Sequence, residues 1–156
     1  MNQQPQIPST TNQNFNNSYN QKKWNENRIV GYPNKPEFTR ESLPQQEDML
    51  YQFLDFIQKH YADEQLNLDT IAKAMSMSQK QLHRKVKQFV NQSPISYLRA
   101  YRLQKSIELL VNSNVLSISE IAYRVGFSDP NYFSRVFSTT FDQTPSEYRK
   151  KVTKEP

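Results

Sequence analysis

The segment IAYRVGFSDPNYFSRVF, Ile121 to Phe137, restates a pattern already set down as IAKAMSMSQKQLHRKV at Ile71 to Val86. Ile71, Ala72, Met75 and Ser76 align with Ile121, Ala122, Val125 and Gly126 at a separation of fifty. One extra residue in the second turn then brings Leu82, Arg84, Val86, Gln92, Pro94 and Tyr97 into register with Phe133, Arg135, Phe137, Gln143, Pro145 and Tyr148 at fifty-one. A period of that length spans a whole supersecondary unit. Two copies separated by a long helical pattern mean an internal duplication of a two-helix element, since a solenoid needs three or more stacked repeats. Two similar units on one spacer imply two similar ligand sites.

Local signals divide the chain into helices. Leu50, Phe53, Leu54, Ile57 and Tyr61 recur at helical spacing and predict a first helix over about 44–61. Asn67 is placed to cap a short helix, and Ser78 with Gln81 has the spacing of a capping box. Ser93 and Pro94 open a long helix running to about Asn112; proline at the first helical position gives up an N–H that has no intrahelical acceptor. Ser117 with Glu120 repeats the capping box, Asp129 and Pro130 open a helix through about Thr140, and Thr144, Pro145 and Glu147 open a last one. No segment alternates as a strand does. The expected fold class is therefore all-α, with seven helices. Two helix-turn-helix subdomains, about 67–90 and 117–141, are joined by a linker helix of about 93–112 within a domain over 44–151. Residues 1–43 are about one-third Asn plus Gln and lack an apolar period, so a disordered leader or linker is expected there. Docking of Trp24, Ile29, Val30 and Tyr32 on the domain or a partner is the alternative.

The chain has no cysteine, and His60 and His83 are too few for a histidine metal cage, so neither metal nor cofactor is expected. Scattered carboxylates without a paired nucleophile and base argue against an enzyme. Neither a signal peptide nor eighteen consecutive apolar residues are found, so no membrane association and a cytoplasmic location are expected. A net charge of +5 favours a polyanionic partner. Its placement says more. From Gln79 to Lys105 stand Lys80, Arg84, Lys85, Lys87, Arg99, Arg102 and Lys105, with no Asp or Glu. This run starts on the second helix of a helix-turn-helix, the one that enters the major groove in that motif, and so predicts a basic stripe facing nucleic acid. The competing possibility is a protein-binding adaptor or RNA polymerase accessory factor with non-specific DNA contact. Exposed apolar patches on the recognition helices would favour it.

Residues from about 47 to 150 resemble the DNA-binding domain of the AraC/XylS family of bacterial transcription regulators. The stretch ISEIAYRVGFSDPNYFSRVFSTTFDQTPSEYRK is similar to the family signature, with IA, GF, YFSR.F, P and YR at its intervals, and YLRAYRLQKSIELL resembles its linker helix. The resemblance implies a seven-helix domain that places two recognition helices in successive major grooves of double-stranded DNA. It further implies control of transcription, often activation through RNA polymerase. One monomer would cover both half-sites, with any dimer made through regions outside this chain; similar domains also end hybrid two-component sensors. Carried over residue by residue, the base-reading positions fall on Lys80, His83 and Arg84 and on Asn131, Tyr132 and Arg135. Their chemistry suits the role: arginine pairs with guanine O6 and N7, asparagine with adenine, and Lys80 and His83 with other acceptors in the groove. Lys73, Lys87, Arg99, Ser128 and Ser134 suit phosphate contact. Asn91 and Asp142 depart from the family by standing where it usually has glycine, and both residue types tolerate a left-handed backbone. Gly126 is expected at positive φ in its turn. Ile71, Ala72, Met75, Leu82, Leu98, Leu103, Leu110, Ile121, Ala122, Phe127, Phe133 and Phe137 are expected in the core, with methionines as filler.

Overall fold

Hydrogen-bonded caps set where the helices start. In the computed structural model, which describes residues 45–154, seven α-helices and no strand are present among those residues. They are α1 (Gln45–His60), α2 (Leu68–Ala74), α3 (Gln79–Val90), α4 (Pro94–Asn112), α5 (Ile118–Arg124), α6 (Pro130–Phe141) and α7 (Pro145–Lys154). The Asn/Gln-rich leader, with Trp24, Ile29, Val30 and Tyr32, lies outside the described residues.

Both predicted capping boxes form. Ser78 Oγ accepts from the Gln81 N–H at 3.2 Å while Gln81 Oε1 accepts from the Ser78 N–H at 3.0 Å. The pair Ser117 and Glu120 does the same at 3.1 and 2.7 Å. Thr144 and Glu147 make a third box in front of α7, at 3.2 and 2.8 Å. Asn67, Ser93 and Asp129 cap α2, α4 and α6 by accepting from Thr70, Ser96 and Asn131 N–H groups. Each bond satisfies a donor that a helix start would otherwise leave orphaned. Recognition helices α3 and α6 end on Asn91 (φ 54°) and Asp142 (φ 56°), both left-handed as expected. The turn inside each repeat is left-handed too, at Ser76 (φ 52°) and Gly126 (φ 90°).

Two hydrophobic clusters result, one per repeat. The first joins Phe53 and Ile57 of α1 to Ile71, Leu82 and Val86 and to Leu98 and Tyr101 in the first half of α4. The second joins Leu103 and Leu110 of α4 to Ile121, Phe133, Phe137 and Tyr148. Of the residues expected in the core, Met75 alone is only half-buried and packs at the rim of the first cluster. Tyr97 and Tyr148, equivalent in the two repeats, are both 6% exposed, so the duplication extends into the packing. Tyr61, just past α1, packs against both clusters. Among the described residues no helix is long and apolar enough to cross a membrane.

Candidate nucleic-acid interface

In α3 the residues Leu82, Val86 and Val90 face inward, which fixes the phase of the helix. At about 100° per residue, Lys80, Arg84 and Lys87 all lie about 140–200° from Leu82 on the outer face, with His83 on the flank. All four are exposed, and their side chains make no ion pair or hydrogen bond with other described residues. The second recognition helix, α6, buries Phe133 and Phe137. By the same count Asn131 and Arg135 stand about 160° and 200° from Phe133, the angular positions that Lys80 and Arg84 hold relative to Leu82. Both are exposed. The two arginines therefore occupy one register in both repeats.

Tyr132 sits differently. It is half-buried, packs its ring 6.1 Å from that of Phe127, and its hydroxyl accepts from Arg99 Nη1 at 3.2 Å. The Arg135 guanidinium lies 5.4 Å over the same ring, a cation–π contact. One tyrosine thus gathers a cation from α4 and one from α6 at the outer edge of the second unit. Of the residues suited to phosphate, Lys87 and Ser128 are exposed, while Arg99 and Ser134 are half-buried. Lys73 is exposed but paired with Asp69 at 2.7 Å; that hydrogen bond raises the lysine pKa and lowers the aspartate's, aided there by Gln79. A phosphate would have to displace this pair.

The basic stripe is shorter than the charge run predicts. Arg102 turns inward, where Nε donates to the Tyr61 carbonyl at 2.8 Å and Nη2 to the Asp63 carbonyl at 2.7 Å. Burial lowers its pKa, and the Asp63 charge opposes that shift. Lys105 donates to both Glu108 oxygens at 2.8 and 3.0 Å. Neither side chain is free for DNA. What remains is unequal: α3 carries Lys80, Arg84, Lys85 and Lys87, whereas Arg135 is the single cation of α6. Exposed large apolar residues fall mostly elsewhere, at Val111, Val115 and Tyr123, with Phe89 the one on a recognition helix. Among the described residues no group of three or more His, Cys, Asp or Glu side chains could hold a metal ion.

Comparison with known proteins places this architecture. The model of a helix-turn-helix domain family matches residues 71–151. The HTH-type transcriptional activator RhaS of Escherichia coli is 39% identical over 111 residues, which is 71% of this chain and 39% of the relative. The chain thus spans 39% of the length of that relative. Among solved structures, the C-terminal domain of AraT, a response regulator from Geobacillus stearothermophilus, superposes with a TM-score of 0.65 at 32% identity, covering 69% of this chain and 88% of that one. An AraC-type DNA-binding-domain regulator from Chromobacterium violaceum gives 0.63 at 28% identity, covering 70% and 96%.

Proposed function

Given that this chain belongs to the AraC-type helix-turn-helix family of DNA-binding transcription regulators, we propose that it reads a specific sequence by setting α3 and α6 into successive major grooves of one duplex. The observation that carries this is the pairing of Arg84 and Arg135, exposed at the same register of two recognition helices whose buried residues join separate clusters, each holding a different half of α4. The 19 residues of α4 make a rod of roughly 28 Å at 1.5 Å per residue, close to the ~34 Å between successive major grooves on one face of DNA. One monomer therefore spans both half-sites.

In this proposal Arg84 and Arg135 pair with guanine edges, Asn131 with adenine, and Lys80 and His83 with acceptors on the groove floor. Tyr132 holds Arg99 and Arg135 at the groove edge and adds its own hydroxyl to the contact. Lys87, Arg99, Ser128 and Ser134 contact phosphates, with Lys73 joining once its pair with Asp69 opens. The four cations of α3 make the first unit the stronger electrostatic anchor. Double-stranded DNA in the bacterial cytoplasm is the partner. RhaS is named a transcriptional activator, and on that likeness RNA polymerase is proposed as a second partner of the regulator that contains this domain. A protein adaptor would present apolar recognition surfaces, whereas the outer faces here are cationic and polar. Selection of bound sequences from a random duplex pool tests the proposal. Two half-sites about one helical turn apart are expected; a single half-site, or no enriched motif, would overturn it.

A further inference from the structure

The two hydrophobic clusters divide along α4 between Tyr101 and Leu103. Arg102 stands at the division. On one side its guanidinium donates to Tyr61 and Asp63 carbonyls, in the segment that leaves α1. On the other it lies against the second repeat: a Cβ placed on Gly126 would stand 2.9 Å from Nε and 3.0 Å from Cζ, and Cζ lies 5.9 Å from the centre of the Phe127 ring. Phe127 belongs to the second cluster. One side chain of the linker helix therefore touches both subdomains.

We propose that Arg102 is a positioning residue that fixes how α6 is oriented relative to α3, and so sets the half-site spacing the protein accepts; this rests on the two-groove function proposed above. Each cluster grips only half of α4. Apolar packing is non-directional, so it leaves each unit some freedom to rock about the shared helix. Contacts that cross the division resist that rocking: Tyr61, the bond from Arg99 to Tyr132, and Arg102. Of these, the guanidinium is planar and makes two charge-assisted bonds in a fixed fork, so it constrains angle as well as distance. Its bonds go to the Tyr61 and Asp63 carbonyls and to none of Lys80, His83, Arg84, Asn131 or Arg135, so removing it deletes no bond to those base-reading side chains.

One added base pair moves the second half-site by about 3.4 Å and about 35° around the duplex axis. A rigid pair of units cannot follow; a loosened pair can. The test takes the best duplex recovered from a random pool, copies with one base pair inserted or removed between the half-sites, and a duplex holding one half-site. For the unaltered protein each spacing change should weaken binding on the order of 100-fold, the worth of the second helix's base contacts. For Arg102→Met, of similar length but without donors, the loss should shrink to less than about 10-fold, with single-half-site binding unchanged. Retention of the full spacing penalty by Arg102→Met would overturn the proposal. If that variant does not fold, Arg102→Lys, which keeps the charge but not the fork, decides by the same two outcomes. Indifference of the unaltered protein to spacing would refute the two-groove function itself, a different failure.

Discussion

Gly126→Ala adds one methyl group where the two subdomains meet, and its cost can be built from three parts. Gly126 has a φ of 90°, and a left-handed backbone costs a non-glycine residue about 1–2 kcal/mol. Stiffening the unfolded chain returns about 0.4–1 kcal/mol. The methyl would also overlap the Tyr61 carbonyl oxygen, which is backbone and cannot swing away as a side chain would. Moving it loosens the 2.8 Å bond from Arg102, and a hydrogen bond to a charged group contributes about 1.5–3 kcal/mol. The net loss is about 2–4 kcal/mol, or about 10 °C or more in melting temperature for a domain of this size. Urea unfolding followed by circular dichroism measures it. Ser76→Ala is the control, because the aligned turn has the same handedness, is exposed and already carries a Cβ; it should change stability by less than about 0.5 kcal/mol. A double-mutant cycle isolates the contact: in an Arg102→Met background, Gly126→Ala should cost about 1 kcal/mol less than in the unaltered protein. A loss below about 1 kcal/mol for Gly126→Ala alone would refute the close approach of α1's end to this turn.

Three other outcomes are expected. Arg84→Ala and Arg135→Ala should each lose about 1–3 kcal/mol on the selected duplex and little on random DNA, while Lys87→Ala weakens both alike and makes the slope of log K against log salt shallower by about 1; titrations at several salt concentrations distinguish them. Ser76→Gly should stabilise the fold by about 0.5–1 kcal/mol in thermal melts, the relief of a left-handed serine exceeding the added chain entropy. Hydrogen bonds from the Ser117 and Thr144 backbone N–H groups hold the Glu120 and Glu147 carboxyls below their usual value of 4.5, so the stability they contribute is present above that pH and lost as the pH falls through the lower folded value. Glu120→Gln, which copies the uncharged box of Ser78 and Gln81, should make the acid side of the stability profile shallower, and an unchanged profile would contradict the assignment.

Helix starts were legible because each depends on residues no more than three apart: Ser78 with Gln81, Ser117 with Glu120, and Ser93 before Pro94 carry their signals in the sequence itself. The shared register of Arg84 and Arg135 was legible for a similar reason, since Leu82 and Phe133 fix the phase of each helix locally. Tyr132 was not, because its hydroxyl partner Arg99 comes from another element 33 residues away. Arg102 and Lys105 belong to the stripe by charge order along the chain alone, and charge order ignores helix phase. Measured around α4 from Leu98, Arg102 stands at about 40°, between Tyr101 at about −60° and Ser106 at about 80°, both buried. The buried face of α4 rotates as it passes from one cluster to the other, and Arg102 lies where the two faces overlap. Helical phase thus held the signal for an inward arginine. Sequence distance hid its acceptors, because Tyr61 and Asp63 are 41 and 39 residues away. The same contact explains why the duplicated turn is not identical in its two copies. Ser76 is exposed and needs only a backbone that serine tolerates at some cost, whereas Gly126 is buried against a carbonyl and a guanidinium that leave no space for a side chain.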